Sequence, residues 1–183
     1  MSDMINIGAR SKEAQRILAK AGGAAIDKAL NAIADALEKN SQFILEENSK
    51  DIRNAQDSGI SQAMIDRLTL THDRISGMAQ GLRQVASSEN PVGRVLWGET
   101  RPNGLRIEKV SVPIGVIAVI FEARPNVTAD AAAICLKAGN SVILKGGKEA
   151  INSNVAIMKV MQDAASNALQ LLQNQQEIEN QQI

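Results

Sequence analysis

Two short turns in this sequence gather residue types that suit charged ligands: Glu122-Ala-Arg-Pro-Asn126 and Lys145-Gly-Gly-Lys148. In the second, two cations flank a glycine pair whose backbone can approach a ligand closely, an arrangement suited to a phosphate or a ribose. The plain alternative is a solvated turn with two exposed lysines. In the first, Glu122 can bind a cation or simply pair with Arg124, and an Arg–Glu pair in a loop is a common structural element.

The flanking residues place these turns. Val116 to Phe121 is a continuous apolar run, as expected of a parallel strand buried on both faces. Val127 to Leu136 is Ala-rich and helical, and Gly139 suits the helix end. Val142-Ile143-Leu144 reads as a second short buried strand, and Ile151 to Leu172 as an amphipathic helix. A crossover of this length makes the strands parallel neighbours. Ligands of such sheets bind beyond the carboxyl ends of the strands, where both turns fall.

The first ninety residues read as helices. Ile26, Leu30, Ile33 and Leu37 form one stripe, with Ala29 and Ala36 beside them, and Gly22-Gly23 separates it from a helix carrying Ile17 and Leu18. Asn40 or Ser41 can cap a third helix with Phe43, Ile44, Ile52 and Ala55, ending near Gly59. Ser61 and Thr71 are cap candidates for two more, holding Met64-Ile65-Leu68 and Ile75-Met78-Leu82. These stripes predict core rather than a ligand site. After Pro91 the pattern alternates, and Pro102-Asn103-Gly104 predicts a hairpin pairing roughly 94–100 with 105–112. Arg94, Glu99, Arg101, Arg106, Glu108 and Lys109 would cover its solvent face, as in an edge or partner-contacting element.

Composition narrows the class. Twenty basic and twenty acidic residues cancel, so no basic stripe speaks for nucleic acid. A single cysteine excludes a disulfide framework and a cysteine-based metal site, and fits a reduced cytosolic setting. No signal peptide is expected at the start, and the longest apolar run is too short to cross a bilayer. No metal site and no membrane role are expected.

The segments ISQAMIDRL (60–68), NPVGRV (90–95), NGLRIEKVSVPIGVIAVIFEARPNVTAD (103–130) and AGNSVILKGGKE (138–149) resemble the gamma-glutamyl phosphate reductases, also called glutamate-5-semialdehyde dehydrogenases, of the aldehyde dehydrogenase superfamily. The resemblance runs from near the start to about residue 163. It implies an α/β fold of N-terminal helices and a hairpin followed by an incomplete Rossmann-like parallel sheet. The segments would be 1–90 helical, 91–112 hairpin, 113–165 the first part of an NADP-binding domain, and 166–183 a tail. It further implies NADPH-dependent reduction of L-glutamyl 5-phosphate to glutamate 5-semialdehyde in proline biosynthesis, through a thioacyl intermediate on a cysteine.

The resemblance also gives the turns roles. No G-x-G-x-x-G is present, and relatives of this superfamily hold the adenosine ribose with a lysine at the end of the second strand, which Lys145 matches. Lys148 would favour a 2′-phosphate, pointing to NADPH, with Gly146 and Gly147 letting the backbone approach. Arg124 would meet the acyl phosphate or the α-carboxylate of the substrate, and Asn126 a developing oxyanion. Glu122 would bind the substrate ammonium or pair with Arg124.

The cysteine nucleophile of the family belongs to a downstream domain that this sequence does not contain, so no catalytic residue is assigned and little activity is expected of this chain alone. Cys135, in AAAICLKAG, reads as a small buried hydrophobe. His72, beside Thr71 and Asp73, reads as an exposed residue at a helix start. From Ser166 the Gln-rich stretch replaces the expected turn and strand and reads as a frayed or disordered end. Besides a reductase, the chain could serve as an NADPH-binding module, or dock on a full-length reductase or on glutamate 5-kinase. It could also be one half of a split enzyme or part of a homo-oligomer.

Overall fold

The computed structural model describes residues 2–181, with the side chains of 3–168. Five helices come first: α1 (Ser2–Leu18), α2 (Gly23–Lys39), α3 (Ser41–Asp57), α4 (Gln62–Leu68) and α5 (His72–Ser87). Strands β1 (Val95–Thr100) and β2 (Arg106–Val110) follow, then β3 (Val116–Ile120), α6 (Asn126–Lys137), β4 (Ser141–Lys145) and α7 (Ile151–Gln181).

The predicted stripes form the core. Leu30, Ile33 and Leu37 of α2, Ile75 and Leu82 of α5 and Ile157 of α7 are almost fully buried in one cluster. Each such side chain contributes roughly 1.5–3 kcal/mol. Ala129, Ala132 and Ala133 of α6 join the same cluster, and their small side chains let α6 lie close against α5. One core therefore joins the N-terminal helices to the α/β part. Ile17 and Phe43, read as stripe residues, instead point outward, because no element covers their faces.

Of the predicted caps, Thr71 accepts a hydrogen bond from the Arg74 N–H at 3.2 Å. Ser61 and Asn40 make no side-chain cap. The Asn40 amide donates backwards to the Ala36 carbonyl at 2.8 Å, sealing the end of α2 instead.

Strands β3 and β4 pair in parallel, with Val116 opposite Ser141 and Ile120 opposite Lys145. Gly139, at φ 69°, turns the chain from α6 into β4, and a Cβ there would lie 2.9 Å from the Pro113 ring. The sheet differs from expectation in its exposure. β3 was expected to be buried on both faces, yet its burial alternates and Ile120 is 83% exposed. Two strands offer little surface, and α1 and α6 cover only part of it.

The hairpin forms as read, antiparallel with Trp97 opposite Lys109. It has no buried face at all: every residue of β1 and β2 is exposed, the apolar Val95, Trp97 and Ile107 as well as the charged ones. Helix α7 continues nine residues past the predicted end at Leu172, so the Gln-rich stretch is helical in its backbone through Gln181. Its last two residues, and the side chains after 168, lie outside the described residues.

Candidate functional site

The parallel register brings the two turns together at one end of the sheet. The Phe121 N–H donates to the Lys145 carbonyl at 3.1 Å, so the ladder runs on to the last residue of β4. Beyond it the chain is wedged. A Cβ on Gly146 would lie 2.3 Å from Asn154 Nδ2 and 3.1 Å from the Phe121 ring, and one on Gly147 would lie 3.3 Å from the Glu122 carbonyl carbon. The glycines thus admit the chain's own neighbouring loop and helix. Asn154 also accepts from Thr128 Oγ1 at 3.0 Å, joining α6, α7 and the turn.

The charged ends of this turn are less constrained. Lys145 is exposed and its amine donates to the Gly146 carbonyl at 3.0 Å. Lys148 is exposed at the start of a short 3-10 turn, Lys148–Ala150. Two solvated cations on a fixed backbone are donors of the kind a ribose or a phosphate needs.

The first turn is divided by the fold. Glu122 and Arg124 are both exposed, and no ion pair joins them among the described residues. Glu122 stays beside Gly147. Arg124 and Asn126 instead face a cleft of about 410 Å³ between the helical body and α6. Arg67, Thr69, Leu70, Arg74, Gly77, Met78 and Asp130 complete its lining. The Asn126 amide donates to Asp130 Oδ2 at 3.0 Å. Burial pushes the Asp130 carboxyl above its ordinary pKa, and the Asn126 hydrogen bond opposes the shift.

Arg67, Arg74 and Asp130 escaped the sequence reading. Two arginines seven residues apart, at the end of one helix and the start of the next, were the only signal, and nothing local ties them to Asp130. The anchors behind the site were missed as well. Asn48 of α3 donates to the Leu68 carbonyl at 2.9 Å and accepts from the Leu70 N–H at 2.8 Å, fixing the floor of the cleft. One helical turn on, Asp51 accepts from the N–H groups of Asn152 and Ser153 at 3.2 and 2.8 Å. It also accepts from their side chains at 2.7 and 2.6 Å. Asp51 thereby caps the start of α7, just past the lysine turn.

The remaining candidates are structural. Cys135 is buried, and desolvation raises its pKa, which disfavours the reactive thiolate. His72 is exposed as the first residue of α5. Lys137 is buried and donates to Asp27 at 2.6 Å and to the Ala86 carbonyl at 2.8 Å, stapling α6 to α2 and α5. Among the described residues no group of acidic, cysteine or histidine side chains could hold a metal ion, and no helix is long and apolar enough to cross a membrane.

Known proteins are similar to this chain in sequence and in fold. The gamma-glutamyl phosphate reductase of Carboxydothermus hydrogenoformans is 52% identical over 164 residues, covering 90% of this chain and 40% of the relative. The crystal structure of gamma-glutamyl phosphate reductase from Thermotoga maritima superposes with a TM-score of 0.87 at 37% identity, over 89% of this chain and 39% of that one. The Saccharomyces cerevisiae gamma-glutamyl phosphate reductase gives 0.84 at 36% identity, over 88% and 41%. The chain therefore spans about 40% of the length of the curated relatives it matches. The aldehyde dehydrogenase family model matches residues 2–182, nearly the whole sequence, and the chain belongs to that family.

Proposed function

We propose that this chain is the cofactor-holding and substrate-facing part of an NADPH-dependent reductase that converts L-glutamyl 5-phosphate to L-glutamate 5-semialdehyde in proline biosynthesis. The observation that carries the proposal is the junction of the two turns at one end of the β3–β4 pair. It sets Lys145 and Lys148 on one side and Arg124 and Asn126 on the other. NADPH would supply the hydride. Lys145 would hold the adenosine ribose and Lys148 its 2′-phosphate, with Gly146 and Gly147 keeping the turn in place. Arg124 would neutralise the acyl phosphate, and Asn126 would donate to the carbonyl oxygen as negative charge grows there. Glu122, apart from the cleft, would act at the turn rather than on the substrate ammonium. No nucleophile is assigned within these residues, so turnover would need a cysteine from outside them.

The test is a titration of NADPH fluorescence. Wild type should bind, and Lys148→Glu should weaken NADPH by about tenfold while leaving NADH little changed, since only the 2′-phosphate is repelled. Equal binding of both nucleotides by both proteins would sink the reading. A second role has its own observation. The hairpin exposes apolar and charged residues on both faces, as expected of a segment that contacts a further copy, a full-length reductase or glutamate 5-kinase. Size-exclusion chromatography with each candidate distinguishes them.

A further inference from the structure

The cleft beside α6 carries more charge than Arg124 and Asn126 account for. Arg67 stands in the last turn of α4 and Arg74 in the first turn of α5, on either side of the Thr69–Leu70 segment that Asn48 holds. Arg74 is already fixed, because Nη1 donates to the carbonyls of Asp66 at 2.6 Å and of Thr69. Its other N–H groups are unengaged among the described residues, as are the guanidinium groups of Arg67 and Arg124. Across the cleft, Asp130 is half-buried on α6 with the Asn126 amide as its partner. Three cations and one carboxylate line a single cleft, yet no ion pair forms between them. Opposite charges held apart around a volume of this size suit a small ligand that carries both signs.

The geometry points to this cleft as the seat of the zwitterionic α-amino-acid head of a small acyl substrate. Arg67 and Arg74 take the α-carboxylate through their planar forks, and Asp130 takes the α-ammonium. Arg124 and Asn126, at the loop, are left for the acyl end. This assignment rests on the proposed reductase reading, and it gives Asp130 the role that the sequence suggested for Glu122. It also sets a specificity: an amino acid with a free α-amine should be preferred over its N-acylated form.

Calorimetric titration of the chain tests this with three probes: L-glutamate γ-methyl ester, its N-acetyl derivative and inorganic phosphate. The ester should bind, and bind more tightly than the N-acetyl form. Arg67→Gln should weaken the ester by about tenfold, with Arg67→Lys falling between, because a lysine keeps the charge but loses the fork. Asp130→Asn should remove the preference for the free amine without weakening the N-acetyl probe. Absence of ester binding to the wild type would overturn the assignment. So would ester binding that neither variant alters, or binding of phosphate alone with the same dependence on Arg67. NADPH titrated into the same samples reads the lysine turn independently. Loss of nucleotide binding with ester binding intact would count against the reductase reading and not against the head site.

Discussion

At the carboxyl end of β4, the Lys145–Lys148 turn is fixed through its backbone, whereas the cleft beside α6 is fixed through side chains drawn from separate elements. The turn has room for no Cβ at Gly146, and its two ammonium groups are exposed. The cleft gathers Arg67, Arg74 and Arg124 from α4, α5 and the loop after β3, with Arg74 tied to two carbonyls. Both lean on α3: Asn48 holds the floor of the cleft, Asp51 holds the start of α7, and the Ser153 hydroxyl touches both. Charges on a rigid backbone are placed by the strand end and the helix start beside them, the helix start being held from α3 by Asp51. Charges on converging helices need the whole core, so a loss of packing should reach them first.

Substitutions can break or sharpen this contrast. The largest effect should come from Asp51→Ala, which strands the buried donors at the start of α7. A loss of about 3 kcal/mol in urea unfolding is expected, and nucleotide binding should weaken with it. Gly146→Ala should follow at about 2 kcal/mol, because Asn154 and the Phe121 ring must both give way. If the turn is the rigid part, this variant should lose NADPH binding while keeping the amino-acid probe. A smaller, opposite effect is expected from Asp130→Asn. Burial raises the folded-state pKa of this carboxyl, so the folded chain holds its proton more tightly than the unfolded one. Stability therefore falls as pH rises from the ordinary carboxylate value through the raised one, and stays lower above it. The variant should melt higher than wild type at pH 7 and lose that advantage in acid. Such a gain, paired with the loss of amine preference, would mark Asp130 as kept for binding. The smallest effect belongs to Lys148→Ala, within about 0.5 kcal/mol in stability because the side chain is solvated, so any change in NADPH binding would be a change in contact alone.

Much of the architecture was legible in the residues. The 3.6-residue stripes of α2 and α5, the Thr71 cap and the β3–α6–β4 unit are local patterns, and each appears in the structure. The lysine turn was legible for the same reason, since its position follows from where one strand ends. The exposure of β3 and of both hairpin faces was not, because apolar alternation records what a strand could bury and not whether anything lies there to bury it. Nor was the cleft: Arg67 and Asp130 are more than sixty residues apart in sequence, and no local pattern marks Asn48 or Asp51 as an anchor.

The sequence by itself determined the helices, the parallel unit and the place of Lys145 and Lys148, because those depend on side-chain periodicity and backbone freedom over a few residues. Only the tertiary structure decided that Arg124 leaves Glu122 to join Arg67, Arg74 and Asp130, and that α3 anchors both regions. Long-range placement of charge is set by how helices pack against one core, and that packing is encoded by no single segment.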